Sequence, residues 1–209
     1  MAALFEVTPR DQRIWETELD GFLPGRMVDI HTHVWRESDR THARDEFSRV
    51  VSWPARVAKD CSVEDLVESY LLMFPGRKVT PLMFSNLGMA DDADRMNGYV
   101  RDCARAHGFP ALLFARPEWS GKEVDEKIEA GGFLGVKVYL NLSPAYIPRE
   151  EIRIFDFLPL HQLHELDRGA RVVMLHIPRD QRLRDPVNIE QMLEIERSFP
   201  RIRLIIAHV

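Results

Sequence analysis

Short apolar runs alternate with longer amphipathic ones along this chain, and that alternation restricts the fold more than any other feature. Six runs are short, rich in Val, Ile, Leu or Phe, and bounded by Gly, Pro or polar residues: Met27–Val34, Thr80–Asn86, Pro110–Pro117, Leu134–Leu140, Arg171–Pro178 and Arg201–Val209. Each reads as a strand. The segments between them carry helix signals. Ser62 is placed to cap a helix over Val63–Phe74, and Gly108 to stop one over Asp91–His107. Gly131-Gly132 ends a third over Gly121–Ala130. A fourth is expected over Arg149–Asp167, interrupted at Pro159, and a fifth over Pro186–Phe199, with proline in its first turn. Thr8–Leu19 is a further helix ahead of the first strand.

Strand then helix, five times over, followed by a sixth strand, implies repeated βα units and a parallel sheet. No glycine-rich turn follows the first strand, as an open nucleotide-binding sheet would require. That strand leads instead into Trp35, Arg36 and a long polar segment up to Cys61, which reads as an active-site loop. The expected fold class is therefore α/β, a (β/α)8 TIM barrel with about six of its eight units present, because a full barrel takes about 250 residues and this chain has 209. One domain, residues 1–209, truncated before strands seven and eight, is expected.

Composition excludes several classes. With 28 Lys and Arg against 33 Asp and Glu, the net charge is −5 and no basic run occurs, so nucleic acid is not an expected partner. Two cysteines, Cys61 and Cys103, do not make a disulfide scaffold. No apolar stretch approaches a membrane span and no signal-peptide core is present, so no membrane contact and a cytoplasmic location are expected.

The chemistry-bearing residues lie late in the strands, where barrel active sites are built. In His31-Thr32-His33, residues i and i+2 share a face, so two imidazoles project together, with Val28, Ile30, Thr32 and Val34 on the other face. Asp29 is expected on the inward face of His31, one step deeper, as a supporting residue. His176 sits on the face of Met174, and His208 on the face of Leu204 and Ile206, with Ile205 and Val209 toward the helices. Imidazole is the commonest protein ligand of metal ions, so three strands ending in histidine suggest a metal site. Lys137 alternates with Val136 and Val138, and if the valines face helices its ammonium points inward with Tyr139. Such a lysine is a candidate to hold an anionic substrate group or, if carboxylated, a metal.

Arg116, Asn141, Asn86 and Tyr146, at or just after strand ends, are weaker candidates, and Arg116 serves equally as a substrate-carboxylate partner or a surface ion pair. Trp35, Arg36 and Trp53 could wall the pocket, whereas His161 and His164 read as ordinary helix residues.

Taken in order, His-Thr-His, Gly-Val-Lys-Val-Tyr, the strand-five histidine and Ala-His-Val resemble the amidohydrolase superfamily, in its amidohydrolase-related branch of hydrolases, decarboxylases and lactonases. The resemblance runs from Met27 onward. It implies a barrel holding one or two divalent metals, zinc first, with His31, His33 and His176 as ligands. It also implies His208 as a further ligand or a catalytic group, and Lys137 at the position some members carboxylate. The aspartate that the family carries on strand eight has no counterpart in these residues. Arg116, Asn141 and Tyr139 are the expected substrate contacts.

The expected function is hydrolysis of a small amide, lactone or cyclic acid by a metal-activated water. The alternatives are metal-dependent, non-oxidative decarboxylation of an aromatic or unsaturated acid, and an inactive barrel fragment that serves as a binding module. The expected partner is a small-molecule substrate, with self-association into a homo-oligomer through unpaired strand edges.

Overall fold

The computed structural model describes residues 4–41 and 58–207. His42, Trp53, His208 and Val209 lie outside them. Six parallel strands follow one another: β1 (Arg26–His33), β2 (Lys78–Phe84), β3 (Leu113–Phe114), β4 (Gly135–Val138), β5 (Val172–His176) and β6 (Arg203–Ala207). β1 pairs with β2, and β3 to β6 form a continuous sheet. A parallel bridge between Met83 and Ala111 joins the two, so spatial order follows chain order. No pairing of β1 with β6 closes the barrel among the described residues. The architecture is α/β, an open arc of a (β/α) barrel, as the alternation of elements requires.

The helices are α1 (Pro9–Ile14), α2 (Val63–Met73), α3 (Ala93–His107), α4 (Gly121–Gly131), α5 (Leu160–Arg168) and α6 (Pro186–Ser198). Their ends follow local chemistry. The side chains of Ser62, Asp92, Ser120 and Asp185 each accept a first-turn backbone N–H. Gly108 and Gly132 take the left-handed conformation that stops α3 and α4. α1 runs on into a single π turn over Trp15–Leu19.

Two expectations need correction. The helix expected over Arg149–Asp167 is only α5; before it lie short 3₁₀ turns at Arg149–Glu151 and Ile154–Asp156. Pro159 sets the boundary, since proline disfavours helical backbone at the residue before it. Ile152, Ile154, Phe157 and Leu158 are buried all the same, as irregular chain under the barrel wall. The phase of β6 is also reversed. Leu204 pairs with Val173 and packs in the helix-side core, while Ile205 pairs with Met174 and faces the interior. The segment is apolar on both faces, so no alternation marks its phase.

The larger core lies between sheet and helices and includes Val34, Met83, Val136, Val138, Val173 and Leu175. A smaller cluster fills the interior: Leu82, Phe84, Leu112, Met174 and Ala207. These two clusters give each strand residue its side. β4 and β5 run close at Gly135, where a Cβ would collide with the Val172 backbone.

Candidate active site

Phe84, last residue of β2, is the hub of the interior. The rings of His31 and His33 lie 5.4 Å apart, centre to centre, and 5.3 Å and 4.5 Å from the Phe84 ring. The Lys137 ammonium nitrogen is 5.0 Å from the centre of the same ring and 6.0 Å from that of Tyr139. Tyr139 in turn meets His176 edge-on at 4.4 Å. Residues from β1, β2, β4 and β5 thus form a connected group at the carboxyl ends of the strands, the end where barrel enzymes work.

His33 is held by its neighbour strand. Its Nδ1 lies 2.8 Å from the Ser85 carbonyl oxygen. A carbonyl only accepts, so Nδ1 carries the proton and donates, which puts the ring lone pair on Nε2. His31 sits differently, on an irregular step of β1. Asp29 Oδ1 accepts the His31 backbone N–H at 3.0 Å, and Asp29 Oδ2 accepts the Tyr70 hydroxyl at 2.9 Å. Thr32 Oγ1 is 3.3 Å from that hydroxyl. Asp29 therefore shares the helix-facing side with Thr32, not the inward side with His31. Val28 pairs with Thr80, on the face of Leu82 and Phe84, and so takes the interior side. Val28 and Ile30 are 65% and 50% exposed rather than packed under helices.

Lys137 is 1% exposed, and its Nζ has no hydrogen-bond partner among the described residues. Burial pushes its pKa down from 10.5 to about 7, because an ammonium loses hydration in an apolar wall. The inward placement follows from Val136 and Val138 in the helix-side core, as their alternation predicts. Burial raises the Tyr139 hydroxyl, opposed by the positive charges of Arg149 and Arg182. Asn141, 3% exposed in a 3₁₀ turn after β4, has an Oδ1 with no partner among the described residues.

Arg116 makes a contact that neither expectation described. Its Nη2 donates to the carbonyls of Met89 and Asp91 at 3.0 Å and 2.6 Å, with Gly88 at 3.4 Å. It fastens the loop after β2 from the end of β3. Tyr146 is 85% exposed. Trp35 is buried, with Nε1 bonded to the Lys59 carbonyl, and Arg36 stacks on Tyr99. His161 bonds the Trp119 carbonyl and His164 packs on Phe199, so neither nears the histidine pair. Burial raises both thiols, Cys61 and Cys103, so neither is poised as a nucleophile.

Among the described residues, no three His, Cys, Asp or Glu side chains are gathered closely enough to hold a metal ion. What is assembled is a histidine pair, with His176 reached through Tyr139. The pair still suits a divalent ion: two imidazoles converge from one strand, one with its lone pair oriented by a backbone carbonyl. A cleft of about 500 Å³ between α2 and α3 is bordered by Arg36, Tyr99 and Cys103 and by none of the histidine pair, Lys137 or His176. Phe84 and Ser85 escape a sequence reading, since a phenylalanine and a backbone carbonyl carry no chemical signature. Their one signal is position at a strand end. No helix among the described residues is long and apolar enough to cross a membrane.

No family model matches the sequence, and no curated protein matches it. Solved structures do resemble it. A probable 2-pyrone-4,6-dicarboxylic acid hydrolase from Acinetobacter baumannii, crystallised with citric acid, aligns with a TM-score of 0.53 at 17% identity, over 86% of this chain and 57% of its own. An uncharacterized TIM-barrel protein from Bordetella bronchiseptica aligns at 0.47 and 12%, over 86% and 65%. A dihydroorotase from Campylobacter jejuni aligns at 0.39 and 15%, over 63% and 39%. This chain spans a little over half the length of the Acinetobacter protein, and what the two share is the fold.

Proposed function

We propose that this chain carries the metal and substrate groups of a metal-dependent hydrolase of a small amide, lactone or cyclic acid. The observation that carries the reading is the pairing of His31 and His33 against Phe84, with the buried Lys137 nitrogen over the same ring. His31 and His33 would hold a divalent ion, zinc first, while His176 stands beyond Tyr139. Zinc, when bound, lowers the pKa of a water from about 16 to about 7 and polarises a carbonyl.

The remaining work falls to the chain. Ser85 fixes the His33 tautomer through its carbonyl. Lys137, when protonated, meets an anionic substrate group, and desolvation makes that contact strong. Asn141 accepts a hydrogen bond from the substrate, and the Tyr139 hydroxyl donates one. The Acinetobacter neighbour is named for a cyclic ester bearing two carboxylates, a substrate of the kind that a metal and a buried cation together suit. The partner proposed is therefore a small anionic molecule.

Elemental analysis of the purified protein tests the reading. A divalent metal is expected at one or two per chain and is lost in His31→Ala and His33→Ala. Retention of metal by both variants removes the claim. With metal loaded, a panel of lactones and cyclic amides is expected to be hydrolysed without release of CO₂; CO₂ release from an unsaturated acid would assign the decarboxylase chemistry instead.

A further inference from the structure

The two histidines face the interior because β1 slips by one residue against β2. Asp29 lies opposite Pro81, but Thr32 lies opposite Met83, so three steps on β1 match two on β2. Pro81 has no N–H to give the ladder, the kind of position where sheets admit a bulge. The slip decides the site. Were the register of Asp29 continued, His31 would fall opposite Met83, which packs toward the helices, and His33 would follow it there. With the slip, His33 falls opposite Phe84 and both rings enter the interior.

The bulge takes the His31 N–H out of the ladder, and a buried N–H without a partner is costly. Asp29 Oδ1 accepts it, and Asp29 Oδ2 is anchored by the Tyr70 hydroxyl from α2. Tyr70 is 7% exposed and also touches Thr32, the first residue after the slip. One hydroxyl thus ties together the residues on either side of the extra one. We infer that Asp29 and Tyr70 are positioning residues, a brace that holds the bulge and so turns His31 and His33 toward the metal; the inference rests on the reading of that pair as metal ligands. Neither side chain enters the interior.

The test uses cobalt(II) as the probe, titrated into the full chain and followed by visible absorption, with thermal unfolding measured in parallel. Tyr70→Phe and Asp29→Leu are expected to weaken cobalt binding by about tenfold or more, the scale on which partners that orient metal ligands act. Asp29→Asn keeps an acceptor for the His31 N–H and a group to meet Tyr70, so it is expected to bind cobalt like the wild type. A purely structural role would lower the unfolding temperature of Tyr70→Phe and leave its cobalt affinity unchanged. Equal affinity in all these proteins overturns the inference. If Asp29→Leu does not fold, Tyr70→Phe, which loses a single oxygen, decides.

If the wild-type chain binds no cobalt, the metal reading fails and the brace is judged without metal. In histidine-labelled protein, the nuclear Overhauser contact between the rings of His33 and Phe84 is then the readout. Its loss in Tyr70→Phe supports the brace, and its persistence overturns it.

Discussion

β1 and β5 both carry aliphatic residues and end in histidine, yet the surroundings of those residues are opposite. Val173, Met174, Leu175 and His176 of β5 are all buried, with β4 and β6 on either side. Val28 and Ile30 of β1 stand largely in the open, with β2 as the one paired neighbour among the described residues. Burial here is conferred by flanking strands rather than by side-chain type. The site straddles the contrast: Lys137 lies in the well-covered half, the histidine pair on the thinly covered one.

The largest expected effect tests that contrast in stability. Leu175→Ala should cost about 2–5 kcal/mol, because its surroundings cannot collapse into the space left behind. Ile30→Ala should change stability by no more than about 0.5 kcal/mol, as at a surface position. Urea unfolding measures both; equal losses would show that β1 is covered in solution.

A smaller effect concerns Lys137. Between about 7 and 10.5 the unfolded chain holds the lysine proton and the folded chain does not. Stability therefore rises with pH across that window, by at most ~1.4 kcal/mol per unit. Below it both states are protonated and the full cost of burying the charge remains; above it that cost is gone. Lys137→Met, similar in volume and uncharged, should lack this slope and keep its fold. A wild-type profile parallel to that of the variant would place the amine in water.

The smallest effect belongs to the edges. β1 and β6 each present an unpaired side among the described residues, and such edges recruit other strands. Size-exclusion chromatography with light scattering should find self-association that Ile30→Lys reduces with little change in stability. A monomer that is fully active would count against an open edge at β1.

Much of the fold is legible because the signals are local. Ser62, Gly108 and Gly132 mark helix ends through their own backbone chemistry, and Val136-Lys137-Val138 fixes its phase by plain alternation. The failures share one cause, dependence on a distant neighbour. The slip follows the pairing of Asp29 with Pro81, fifty-odd positions away, so alternation alone puts Asp29 beside His31. Leu204 takes its side from Val173 rather than from its own apolar surroundings. Arg116 is as readily a ligand clamp as a loop fastener until its Nη2 is seen bonded to carbonyls of the preceding loop. The histidine pair was legible as a motif, but Phe84, against which both rings rest, carries no chemical signature in the sequence.

The close approach of β4 and β5 at Gly135 has an evolutionary side. Every other amino acid carries a Cβ, so each missense change at this codon drives an atom into the Val172 backbone, which has no flexible end to swing away. Lys137 lies two residues further on, in the register that this approach sets. A lineage could exchange the lysine for other chemistry and keep the barrel, whereas the glycine offers drift no neutral path. Gly135 should therefore vary little among descendants of this chain, even where their reactions have diverged.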